Sequence, residues 1–117
     1  MEELNEEILT MNRVEDKILN EIINQIVLIA NPDKIILFGS RATGKANKDS
    51  DYDVLILKKY VRKKALRQKL YRTGLNTSVP VDMLVNTPNG FDKIKNKDYY
   101  VYYDIAQSGI VVYEKGG

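Results

Sequence analysis

Two groups of polar residues interrupt the apolar runs of this 117-residue chain. Gly39-Ser40-Arg41 closes the run Ile35-Ile36-Leu37-Phe38, and Asp51-Tyr52-Asp53, separated from Ser40 by ten residues, opens Val54-Leu55-Ile56-Leu57. The first group suits phosphate. Glycine lets a backbone approach an anion closely. Ser40 offers a hydroxyl and an N–H, and a helix starting there would aim further N–H groups outward. Arg41 adds a fork-shaped cation. The second group suits a metal. Asp51 and Asp53 are two residues apart in a predicted strand, so both side chains share one face. Carboxylates held that way repel each other unless a cation lies between them. A third carboxylate, Asp82, sits inside the run Val81-Asp82-Met83-Leu84-Val85, where a lone charge is expensive. If that strand lies beside the Asp51–Asp53 strand, three carboxylates converge. That is the ligand set of two-metal phosphoryl transfer.

The rest of the composition narrows the chemistry. The chain has no His and no Cys, so it has no disulfide and no thiolate zinc site. Acid–base work must fall to carboxylate, Lys, Tyr or water. A metal site must be oxygen-rich, which fits Mg²⁺ and not zinc. Gly39 to Lys45 also satisfies the opening of a P-loop, G-x-x-x-x-G-K. The next residue, however, is Ala46, where a P-loop needs Ser or Thr for Mg²⁺. The next strand begins about six residues later, which leaves no room for the long helix that motif requires.

The elements that must position these groups follow from periodicity. Val14, Ile18, Ile22, Ile26 and Ile29 recur at helical spacing, predicting a helix over 13–30. Asn12 with Glu15 resembles its capping box, and Asn31-Pro32 ends it. Leu4, Ile8 and Met11 extend the stripe backward over 1–12, as core or as a segment that docks on another chain. Strands are predicted over 34–38, 52–57, 80–85 and 110–113. Residues 40–46 form a short helix or tight turn, and a basic helix covers 61–75. Thr87-Pro88-Asn89-Gly90 reads as a turn. Asp98 caps a last helix running to Ser108, with Gly109 in the C-terminal capping position. The expected product is one α/β (α+β) domain over 1–117, a small mixed sheet with helices packed on one face.

With 44% hydrophobic and 29% charged residues the chain reads as soluble and globular. Its apolar runs are too short to span a bilayer. Its acidic start, four Glu in seven residues, is the wrong sign for a targeting peptide, so a cytoplasmic setting is expected. Residues 58–72 carry eight Lys or Arg and no acid. That run is a solvated helix face or a docking surface for an acidic partner or RNA. The tyrosines of Tyr99-Tyr100-Val101-Tyr102-Tyr103 would spread around a helix, so several must be core or interface.

Leu37-Phe38-Gly39-Ser40-Arg41-Ala42-x-Gly44 with Ser50-Asp51-Tyr52-Asp53, and Asp82 on a later strand, resembles the DNA polymerase β-like nucleotidyltransferase superfamily. More narrowly it is similar to the minimal nucleotidyltransferases of prokaryotes, over nearly the whole chain. The resemblance implies a polymerase β-like palm and Mg²⁺-dependent transfer of a nucleotidyl group, with two ions and ATP as substrate. It implies that Gly39 and Ser40, with Arg41, bind the triphosphate. Asp51, Asp53 and Asp82 would ligate the metals, and Asp82 would also be the candidate base for the acceptor hydroxyl. It further implies a small helical HEPN-type partner, a toxin whose tyrosine is adenylylated by the nucleotidyltransferase as antitoxin. The alternatives are a non-catalytic module that neutralises its partner by occlusion, and transfer to a small molecule such as an aminoglycoside. The chain leaves no room for the second domain that the latter normally needs.

Overall fold

The computed structural model describes residues 16–97 and 100–116, with no side-chain description for residue 100. The expectations for residues 1–12, for the Asn12–Glu15 capping box and for the Asp98 cap lie outside the described residues. The elements, in order, are α1 (Lys17–Ala30), β1 (Lys34–Phe38), α2 (Ser40–Thr43), β2 (Tyr52–Leu57), α3 (Lys63–Thr73), β3 (Val81–Asn86), α4 (Pro88–Ile94), α5 (Tyr100–Ser108) and β4 (Ile110–Glu114).

The four strands form one mixed sheet in the order β3-β2-β1-β4. β1 pairs antiparallel with β2 and with β4, and β2 pairs parallel with β3. The parallel pair needs a crossover, which α3 supplies. Strand alternation then divides the side chains between two faces. Ile35, Leu37, Tyr52, Val54, Ile56, Met83 and Val85 form one core with α1 and with Leu70 of α3. Ile36, Phe38, Leu55 and Leu57 form a second core with Phe91 of α4 and Ile105 of α5. The mixed sheet with helices is the expected fold, but its helices cover both faces and not one. The cause lies in β2, where Val54, Leu55 and Ile56 are apolar at both parities and fully buried. A strand of that kind must be covered twice.

Two local differences have equally plain causes. Residues 88–94 are helical where a turn was expected. Thr87 caps the helix by accepting the Gly90 N–H at 2.9 Å, and Pro88 takes the first helical position, which its fixed φ favours. In α1 the buried seam is Leu19, Ile22, Ile23, Ile26 and Ala30, with Ile18 and Ile29 only partly covered. Steps of exactly four drift around a 3.6-residue helix, so the sheet-facing stripe follows a mixed three-and-four spacing. The helix begins at Lys17, capped by Asp16, whose Oδ1 accepts the Leu19 N–H at 2.9 Å.

Asp16 also anchors β2. The Tyr52 hydroxyl is buried and donates to Asp16 Oδ1 at 2.8 Å and to Oδ2 at 3.1 Å. Burial first, and then Asp16, push the Tyr52 pKa up to about 12. Tyr52→Phe should therefore lower stability by about 1.5–3 kcal/mol, the range for a hydrogen bond to a charged group. The proton held by Tyr52 stabilises the fold fully below the unfolded value near 10. That contribution is lost as pH rises through about 12. Denaturant melts at neutral and alkaline pH would show it, as a gap between wild type and variant that narrows above about pH 10.

Candidate functional site

The site lies where the C-terminal end of β1 meets the N-terminal ends of β2 and β3. Antiparallel pairing sets Phe38 against Asp53, and parallel pairing sets Asp53 against Asp82. Asp53 and Asp82 share the parity of Leu55 and Leu84, so both project from the sheet face covered further along by Phe91 and Ile105. Asp51 precedes the strand and is exposed, Asp53 is half-buried, and Asp82 is exposed. The Asp53 carboxyl is pushed above its ordinary range by burial, then by Asp82, then by Asp51. The sheet register thus brings Asp53 and Asp82 together, and Asp51, just before β2, joins them electrostatically. Among the described residues they do not close into a ready-made cage of three ligands.

Gly39 is packed against this group. A Cβ built on Gly39 would lie 2.4 Å from Asp53 Oδ2, and its φ of +73° with ψ of −156° is a conformation almost confined to glycine. The following helix, α2, is a single turn that stops at Gly44, where φ is +78°. It is shorter than the 40–46 span expected, so its dipole is small. Gly39 O accepts the Ala42 N–H at 3.0 Å. Ser40 is half-buried at the start of that turn.

Arg41 is engaged within the protein through two of its guanidinium nitrogens. Its Nη2 donates to Ser50 O at 2.7 Å and to Lys48 O at 3.3 Å, and its Nε donates to Ser50 O at 3.2 Å. Its guanidinium carbon stands 4.3 Å above the centre of the Tyr52 ring. Arg41 therefore ties the loop leading to Asp51 onto β2. Asn47 organises the same loop: its Oδ1 accepts the Asp49 N–H at 2.8 Å, and its own N–H donates to Ser50 Oγ at 3.0 Å.

Sequence reasoning missed Tyr71. Its hydroxyl donates to Asp82 Oδ1 at 3.1 Å and accepts the Met83 N–H at 2.8 Å. The available signal was Arg67 and Tyr71, four apart on α3, on the side of the helix that meets β3. The Arg67 Nε donates to Met83 O at 2.9 Å. Part of the basic helix is thus a structural cover for the edge strand β3.

Residues 16–104 match the family model described as the nucleotidyltransferase domain. The chain belongs to the nucleotidyltransferase domain family. The match includes every residue of the site. A stretch of 54 residues is 39% identical to the Methanocaldococcus jannaschii protein named "Putative protein adenylyltransferase MJ0141", and it covers 46% of this chain and 54% of that one. The chain thus spans about half the length of that relative. A solved crystal structure of a toxin–antitoxin with AMP-PNP superimposes with a TM-score of 0.49 at 20% identity, over 83% of this nucleotidyltransferase and 73% of the other chain. Among the described residues, no helix is long and apolar enough to cross a membrane.

Proposed function

We propose that this nucleotidyltransferase transfers AMP from ATP to a tyrosine hydroxyl of a partner protein, a small helical HEPN-type toxin, with the tyrosine oxygen bonding to the α-phosphorus as pyrophosphate leaves, and so acts as its antitoxin in the cytoplasm. The observation that carries the reading is the register that sets Asp53 beside Asp82 with Gly39 packed on the Asp53 carboxylate. The adenylyl group and the protein acceptor, implied by the motif resemblance, are supported by the M. jannaschii relative named a putative protein adenylyltransferase. The described residues act as a single domain, in keeping with one sheet carrying both cores.

In this reading Gly39 and Ser40 cradle the triphosphate, with the glycine admitting phosphate oxygens close to the backbone. Asp51, Asp53 and Asp82 would hold Mg²⁺, as two ions. The donor set fits a hard ion, because all three are carboxylates; the Asp53 carboxyl is raised by burial first and then by Asp82 and Asp51, so a cation there would relieve both. The open arrangement fits Mg²⁺ in particular, which usually takes one or two protein carboxylates and completes its shell with substrate phosphates and water. A hard divalent ion held by these carboxylates would supply charge neutralisation for the triphosphate and lower the pKa of the acceptor hydroxyl. Asp82, at the exposed end of the group, accepts the proton of the acceptor hydroxyl. Arg41 keeps the 44–50 loop in place, so that Asp51 enters β2 next to Asp53.

The test is co-expression with the product of the neighbouring gene, followed by intact mass of both chains. The partner should gain one or more AMP units in the presence of ATP and Mg²⁺. Asp51→Ala with Asp53→Ala should eliminate the gain. A double variant that still adenylylates the partner refutes the site. One that neutralises the partner without adenylylating it makes the protein an occluding antitoxin instead.

A further inference from the structure

Asp82 has a second neighbour besides Asp53. It is exposed at the edge of the sheet, where a carboxylate in water samples several rotamers. Tyr71 reaches it from α3. The phenol hydroxyl makes two hydrogen bonds with opposite sense: it donates to Asp82 Oδ1 at 3.1 Å and accepts from the Met83 N–H at 2.8 Å. The backbone of β3 therefore fixes the oxygen that in turn holds the carboxylate. Arg67, one turn earlier, braces the pair. Its Nε donates to Met83 O at 2.9 Å, and its guanidinium carbon lies 4.9 Å from the centre of the Tyr71 ring. The two side chains together satisfy both the N–H and the C=O of one edge residue. Covering the edge would need only that. The hydroxyl does more, because its proton is directed to a carboxylate of the site.

We propose that Tyr71 is a positioning residue for Asp82. By holding Oδ1 it sets the rotamer of the carboxylate, and Oδ2 is then the oxygen that would serve a metal and the acceptor. This rests on the role given to Asp82 above, and it gives a reason for a tyrosine on a basic helix with few buried residues. Groups that orient metal ligands typically change affinity or rate by 10–100-fold when removed. Tyr71→Phe is the sharp variant, since it keeps the ring, its packing and the contact with Arg67, and deletes only the hydroxyl.

The experiment uses the full chain with Mn²⁺ as the probe, titrated calorimetrically, together with steady-state adenylylation of the co-purified partner. Tyr71→Phe should weaken Mn²⁺ binding by about 10-fold and lower kcat by a similar factor. The KM for ATP should stay within about two-fold, because the phosphate-gripping residues are not touched. A melting curve of the same sample shows that the variant is folded. Mn²⁺ affinity and kcat at wild-type levels would overturn the proposal and leave Tyr71 as edge cover alone. An equal loss in kcat and a large rise in KM would also overturn it, since that is the mark of a distorted fold. Asp82→Asn separates the two readings. If that variant binds Mn²⁺ and transfers AMP like wild type, the role of Asp82 itself falls. If it loses both while Tyr71→Phe loses neither, only the positioning role falls.

Discussion

Replacing Asp53 with asparagine should make this protein more stable and inactive in the same step. Asp53 lies half-buried under Gly39 and beside Asp82 in the sheet register. Its carboxyl is raised by burial, then by Asp82, then by Asp51, so the folded state binds that proton more tightly than the unfolded chain does. The stability linked to it is fully present below the unfolded value of about 3.9. It is lost as pH rises through the folded value. Near neutral pH the ionised carboxylate is thus a net liability to the fold. Asp53→Asn removes the charge at nearly constant volume. Because the group is partly exposed, solvent screening limits the gain to about 1 kcal/mol, or several degrees in Tm. Thermal melts in a chelator should show the variant above wild type near neutral pH, with the gap closing as the pH approaches about 4. Added Mg²⁺ should raise the wild-type Tm and move the variant much less, since binding to the folded state alone is stabilising. Transfer of AMP should fall roughly a thousand-fold, the equivalent of several kcal/mol of lost charge stabilisation. A variant that melts below wild type in chelator would remove the like-charge argument on which this assignment depends.

That opposition between stability and use explains which parts of the site could be read from the sequence. Asp82 stood out as a carboxylate inside the apolar run Val81-Asp82-Met83-Leu84-Val85, but the burial cost expected there is absent, because β3 is an edge strand and Asp82 is exposed. Asp51 and Asp53 were visible through the two-residue spacing, and Gly39 through its place at the end of an apolar run. What the sequence did not display was the direction of long side chains. Arg41 could be read as a cation beside the turn, but its bonds to the carbonyls of Lys48 and Ser50 depend on the path of the 44–50 loop, which the sequence does not display. Tyr71 is separated from Asp82 by a loop, and its contact exists because β2 and β3 are parallel and α3 must run back along the edge. The cover on both sheet faces was implicit in Val54-Leu55-Ile56, but a run that is apolar at both parities does not say which helices will supply it. The turn at Thr87-Pro88 was ambiguous for a chemical reason, since the same two residues open turns and cap helices.

Gly39 offers the other large effect, and it tests the packing and not the charge. Gly39→Ala places a methyl group at 2.4 Å from Asp53 Oδ2, in a backbone conformation with φ of +73° and ψ of −156°. Two penalties are combined there. The backbone conformation costs about 1–3 kcal/mol for a residue with a Cβ. The contact is well inside van der Waals distance, so the Asp53 carboxylate must swing away or the β1–α2 turn must open. Displacement of a reacting group by about 1 Å can cost 100-fold in rate, so the variant should lose about 2 kcal/mol or more of stability and at least about 100-fold in adenylylation. The two penalties can be separated with a double-mutant cycle. In an Asp53→Ala background the methyl group no longer meets a carboxylate, so Gly39→Ala should there show only the backbone penalty, and the difference between backgrounds measures the contact itself. Urea melts of the four proteins give that number. Equal losses in both backgrounds would mean that Gly39 serves the turn alone. A coupling of about 1 kcal/mol would mean that the glycine is required because the carboxylate beside it must stay where it is. The Gly-Ser turn and the aspartate pair are then one unit, and neither can change without moving the other.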